Sequence, residues 1–156
     1  HISGALAQAD WLGIFGRDSV FAANVWPVTS NRSFSYGAFR AFRNYDGTGS
    51  AFGNSSFQAQ ASDVAKASVY GSVDAGNPDR VVLVLINKAS VAQVGGIALT
   101  HTKLLTHAQV YELTSSSPIS AGTAVPQRQP DITLSLRNAL RLSLPAQSVT
   151  TLVLLP

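Results

Sequence analysis

From residue 56 onward the chain repeats on a period of two, and this narrows the possible folds more than any other feature. FQAQAS (57–62), KASVYGSV (66–73), RVVLVLIN (80–87), VGGIALTH (94–101), HAQVYELT (107–114), DITLSLR (131–137), LRLSL (140–144) and SVTTLVLL (148–155) read as short strands. Turn residues such as GNPD (76–79) and SSSP (115–118) separate several of them. Eight short strands at this spacing predict an antiparallel sandwich. The stretch SSSPISAGTAVPQRQP (115–130) reads as loop.

Residues 1–45 follow other periods. Ser3 is placed to cap a helix that carries Ala5, Leu6, Ala9, Leu12 and Phe15 at helical spacing and stops at Gly16. SVFAANVW (19–26) is apolar almost throughout, the pattern of a parallel strand covered on both faces, and Pro27 would end it. A second helix is expected to start near Asn31 or Ser33. It has Phe34, Ala38, Phe42 and Tyr45 on one face and Arg40 and Arg43 on another, before DGTGS (46–50) breaks the pattern. The expected fold is therefore mixed: helix, strand, helix, then an all-β antiparallel sandwich. A lone helix–strand–helix unit cannot cover its own strand. Residues 1–45 are thus expected to complete an α/β barrel or sheet whose remainder lies elsewhere. The chain opens on His1 without a Met and reads as a piece of something longer.

Composition sets bounds on partners. The 156 residues suffice for one ordinary core, and 46% of them are hydrophobic. Only 12% are charged, about half the usual share of roughly 25%. Polar uncharged residues must cover most of the surface, which suits an extracellular β-rich protein. The net charge of +3 comes from scattered Arg and Lys, so no nucleic-acid partner is expected. No segment is long and apolar enough to span a bilayer as a helix, so no membrane partner is expected either. Cysteine is absent, which excludes disulfides and Cys-ligated zinc.

The acid–base inventory is thin. There are seven Asp and one Glu. Glu112 sits in a strand pattern and reads as an exposed carboxylate. Asp10 lies in the first helix and reads as a hydrogen-bonded structural group. Asp46, Asp74 and Asp79 lie beside Gly, Asn or Pro and read as turn formers. No two carboxylates make a convincing pair for glycosidic cleavage. His1, His101 and His107 lack partners at ligand spacing, so no metal site is expected. GTGSAFG (47–53) has the wrong spacing for a phosphate loop and follows a helix, not a strand. Trp26 ends the expected strand. From spacing alone it is either a core residue or a platform on which a sugar ring could stack.

Several segments resemble one family. HISGALAQADWLGIFG (1–16), SVFAANVWP (19–27) and AFRAFRNYDGTGSAFGN (38–54) are similar to the C-terminal end of the catalytic domain of glycoside hydrolase family 44. VYGSVD (69–74), VVLVLINKAS (81–90), AQVYELTSSSP (108–118) and LPAQSVTTLVL (144–154) resemble that family's C-terminal β-sandwich. The family comprises endo-β-1,4-glucanases, often with xyloglucanase and sometimes xylanase or mannanase activity. The resemblance implies that residues 1–50 end a catalytic (β/α)8 TIM barrel and that residues 51–156 form the sandwich. It implies a retaining mechanism whose two Glu residues precede His1, so that this chain holds no catalytic residue and is inactive alone. Trp26 would lie under the sugar at the cleavage site, and His1 would border the cleft. The implied partners are the missing N-terminal part of the barrel and a β-glucan polysaccharide. No cofactor is implied in this segment, and a structural calcium, where the family has one, would lie in the missing part. The implied location is extracellular. The rival reading is a self-standing carbohydrate-binding or interaction sandwich. Against it, Tyr70 and Tyr111 are isolated and the strands carry no Trp.

Overall fold

The structure is a computed structural model that describes residues 1–26 and 30–156. Among the described residues two helices, α1 (Ile2–Arg17) and α2 (Ser33–Arg43), precede ten strands. The strands are β1 (Ser55–Phe57), β2 (Ala67–Asp74), β3 (Asn77–Asn87), β4 (Gln93–Ala98) and β5 (His107–Leu113). They continue as β6 (Ile119–Ser120), β7 (Thr123–Ala124), β8 (Gln127–Thr133), β9 (Ala139–Leu144) and β10 (Ser148–Leu155). A six-stranded sheet has the order β1-β2-β3-β10-β5-β8, and β4–β9 and β6–β7 form two-stranded sheets.

Two strands run through the middle with both faces covered. Val81 to Asn87 of β3 and Ser148 to Leu154 of β10 are all buried. Their register pairs Val149 with Ile86, Thr151 with Val84 and Val153 with Val82. These side chains face the helices: Val84, Ile86, Leu113 and Val149 pack with Ile2, Ala5, Leu6, Ala9, Ala38 and Phe42. The alternate residues face the other way, as the two-residue pleat requires. Leu83, Leu85, Leu152 and Leu154 pack with Leu140, Leu142 and Leu144 of β9. The layers are therefore helices, a six-stranded sheet and a two-stranded cover.

Polar groups lock these layers together. Thr151 donates from Oγ1 to the Ala41 carbonyl at 2.7 Å, tying β10 to α2. The Asn87 amide donates to the Leu144 and Pro145 carbonyls and accepts from Ala89 N–H, pinning the turn between β9 and β10. Small residues let the helices sit close. A Cβ at Gly13 would lie 2.3 Å from the Tyr70 ring, and one at Gly37 would lie 2.9 Å from the Ala124 carbonyl oxygen. The latter contact seats the β6–β7 hairpin over α2, within the stretch expected to be loop.

Helix α1 runs past Gly16. It ends in a left-handed turn at Ser19 (φ 56°), with Val20 N–H bonded to the Phe15 carbonyl. His1, not Ser3, occupies its N-cap. Helix α2 starts at Ser33, within the expected window.

The expected helix–strand–helix unit of a (β/α)8 TIM barrel is not what the structure contains. Residues 19–26 form no strand, and every strand pair is antiparallel in an open sheet. No barrel closes among the described residues. The reason is backbone hydrogen bonding: a strand exists only beside another strand, and among the described residues none pairs with 19–26 as a strand. Pro27, the expected stop, lies outside the described residues. The doubly buried strands are β3 and β10 instead, and they are antiparallel.

The Gly13 contact gives a direct check. Gly13→Ala forces the new methyl into the Tyr70 ring, and overpacking of this kind costs about 1–3 kcal/mol. Urea denaturation should show the midpoint falling accordingly. Gly16→Ala, with open space at that position, should hold or gain stability.

Candidate functional site

The 11–26 stretch presents large apolar side chains to solvent. Trp11 projects outward from α1, its ring centroid 5.4 Å from that of Phe15. Beyond the helix, Val20, Phe21, Val25 and Trp26 are all exposed. Phe21 shows 103% of its reference surface and Trp26 shows 87%. Apolar surface left in water costs about 25 cal/mol per Å² relative to burial, so such a stretch marks a contact surface. Trp26 is thus not a core residue of this chain. Its indole is free to stack on an apolar ring face.

His1 lies at the opposite end of α1. Its Nδ1 lies 3.3 Å from Ser3 N–H and 2.9 Å from Ser3 Oγ, which caps the helix. No hydrogen bond or ring contact joins His1 to Trp26 among the described residues. Phe21 went unmarked in the sequence, where it looked like one more core residue of an apolar run. Its exposure follows only from the lack of pairing strands. Trp11 is also more than half exposed.

The carboxylates are mostly committed to structure. Asp10 accepts from Tyr70 Oη at 2.7 Å and from Lys88 Nζ at 2.9 Å. Burial pushes its carboxyl up, but the Tyr70, Lys88 and Ser68 hydrogen bonds outweigh that and hold it below the usual carboxylate range. Tyr70 is pushed well above the ordinary phenol by burial and by Asp10. Asp46 accepts from Thr48 and Ser50 N–H groups and from Thr48 Oγ1, closing the DGTGS turn. Asp74 bonds Arg80 at 3.0 Å, and Arg80 also donates to Tyr45 Oη. Burial pushes the Tyr45 phenol up to about 12. Asp18, Asp63 and Asp131 pair with Arg17, Lys66 and Arg128.

Glu112 departs from expectation: it is half-buried in β5, and desolvation raises its carboxyl. His101 contacts the Pro78 and Lys103 carbonyls. Among the described residues no three His, Asp or Glu side chains gather to hold a metal. Tyr70 and Tyr111 are turned into packing, and Tyr111 is buried against Tyr45. The large aromatic side chains of 21–26, Phe21 and Trp26, stand exposed.

No protein-family model matches the chain. Over 119 residues it is 37% identical to a beta-mannanase/endoglucanase A of Caldicellulosiruptor saccharolyticus, covering 76% of this chain. Its fold matches a xyloglucanase of glycoside hydrolase family 44 from Paenibacillus polymyxa with a TM-score of 0.92. The two are 29% identical over 100% of this chain and 30% of that one. It also matches a bifunctional glucanase–xylanase from a metagenome library, at 36% identity and a TM-score of 0.85. That match covers 99% of this chain and 28% of the other. The chain spans 13% and 9% of the lengths of the curated relatives it matches.

The Asp10 cluster sets a pH dependence of stability. Its folded pKa lies below the ordinary value of 3.8, so the stabilisation is full above that value. It is lost as pH falls through the lowered folded value. Urea melts from pH 7 to pH 2 should show Asp10→Asn destabilising the chain at neutral pH. The gap to the unsubstituted chain should narrow toward pH 2.

Proposed function

We propose that this chain is part of a glycoside hydrolase family 44 enzyme, a retaining endo-β-1,4-glucanase of the cellulase and xyloglucanase kind that cleaves β-1,4-linked plant polysaccharides. The observation that carries this reading is the fold match over 99% of the chain at 36% sequence identity to a glucanase–xylanase. The exposed aromatics at 21–26 support it, because a sugar-cleaving enzyme needs ring platforms beside its cleft.

In this reading the catalytic pair lies in the rest of the enzyme. One Glu attacks the anomeric carbon while the other protonates the leaving oxygen, and the second then activates the water that releases the sugar. Residues 1–50 belong to the catalytic part and residues 51–156 form the β-domain that braces it. Trp26 forms the floor under the sugar nearest the cleaved bond, and His1 borders the cleft. The complete enzyme acts outside the cell.

Two measurements test the reading. The isolated chain should not hydrolyse carboxymethylcellulose, and turnover by the pure chain would refute the placement of the carboxylates. In the complete enzyme, Trp26→Ala removes a stacking surface worth about 1–3 kcal/mol, so kcat/KM on xyloglucan or cellulose oligosaccharides should fall about 10–100-fold. In the chain alone, where the indole is solvent-exposed, the same substitution should leave Tm within about 2 °C. An unchanged kcat/KM would remove Trp26 from the site.

A further inference from the structure

We infer that the Asn24 side-chain amide hydrogen-bonds a hydroxyl of the sugar ring that stacks on Trp26. The inference rests on the reading above, in which Trp26 lies under the sugar nearest the cleaved bond. It adds the polar half of that contact.

Asn24 is the one polar residue of FAANVW (21–26). Asparagine is depleted in extended apolar segments, where β-branched and aromatic side chains pack better. Other asparagines of this chain have amides tied to the fold. Asn44 and Asn54 accept from the Gly49 and Ala75 N–H groups, and Asn138 accepts from Leu105 N–H. Asn87 donates to the Leu144 and Pro145 carbonyls. Asn24 is exposed, and its amide makes no hydrogen bond among the described residues. The fold of this chain therefore gives the amide no structural task.

The backbone decides which side chains it stands with. Residues 20–26 contain no helix, turn or bend, and none has a positive φ. Such a segment is extended, and its side chains alternate between two sides. Asn24 shares a side with Ala22 and Trp26, while Phe21, Ala23 and Val25 share the other. The second side is wholly apolar and suits packing against protein. The first ends in an amide and an indole, their Cα atoms about 6.6 Å apart at the rise of an extended chain. At that spacing the amide stands beside a ring stacked on the indole, not beneath it, within reach of the ring's hydroxyls.

Sugar chemistry calls for this pair of groups. A pyranose has apolar faces and a rim of hydroxyls. Each hydroxyl both donates and accepts, and an Asn amide does both through its NH2 and C=O. The indole supplies the face contact and the amide supplies the rim contact. Ligand sites combine apolar walls with a few placed polar groups in this way. A site built to bond a hydroxyl rejects an analogue that lacks it, so Asn24 also helps decide which sugar is accepted there.

The complete enzyme tests this with cello-oligosaccharides and analogues that lack one hydroxyl on the sugar nearest the cleaved bond. Asn24→Ala should lower kcat/KM on the parent substrate about 10-fold or more. In the unsubstituted enzyme one deoxy analogue should lose about as much. Asn24→Ala should process that analogue and the parent within about 2-fold of each other. Losses that multiply at every deoxy position overturn the inference. A shift in the acid limb of the pH profile in Asn24→Ala assigns the amide to a catalytic carboxylate and overturns it too. Asn24→Asp keeps the side-chain shape and loses the donor. A Tm lowered by more than about 4 °C in both variants assigns the amide to packing and also overturns the inference. If Trp26→Ala is costly and Asn24→Ala is neutral, this inference alone falls. If Trp26→Ala leaves kcat/KM unchanged, the reading of Trp26 falls and takes this inference with it.

Discussion

The double burial of β10 is the constraint on which the rest of the structure depends. Ser148 to Leu154 have no exposed face, so each must be covered from both sides. Pairing with β3 and β5 satisfies the backbone, and the helices and β9 satisfy the side chains. A strand of this kind cannot exist without all four neighbours, so it couples elements from both ends of the chain. Polar groups inside it are costly unless partnered. Thr151 reaches Ala41, whereas Thr150 Oγ1 has no hydrogen-bond partner and sits across from the half-buried Glu112.

The helices are held to this strand layer by small residues and one charged cluster. Ala5, Ala9, Ala38 and Ala41 are fully buried and let α1, α2 and the sheet approach closely. Tyr70 fits against α1 only because Gly13 has no side chain, and its hydroxyl then reaches Asp10. Lys88, at the end of β3, closes the cluster from the sheet side. Packing and electrostatics at this interface are thus one feature: the glycine positions the ring, and the ring positions the proton that Asp10 accepts.

Most of the strand pattern was legible in the sequence, and the failures have a common cause. Alternation located β2, β5, β9 and β10 to within a residue or two at each end. RVVLVLIN and SVTTLVLL are apolar nearly throughout because both faces are covered, which is what continuity signals. SVFAANVW carries the same signal, yet it lies in water and forms no strand. Continuity reports that a segment needs covering on both faces. It does not report that the cover is in the same chain, nor whether the pairing would be parallel or antiparallel. The β6–β7 hairpin was missed for the opposite reason: ISAGTA is rich in small and turn residues, and its fixed place comes from the Gly37 contact with α2. The site was legible only in part. Trp26 stood out as an aromatic, but its neighbour Phe21 looked like core, because exposure depends on partners that local pattern does not encode.

Local and global signals agree in a chain that folds by itself, and they part company where surface is kept for something else. Here they part at 20–26, where apolar residues suited to a buried strand stand in solvent. Poor folding would not produce this pattern selectively, since the core beside it is fully buried and its central register unbroken. The 156 residues fold around β10 and β3, and the aromatic surface they leave uncovered is suited to a ring-shaped ligand or a packed neighbour.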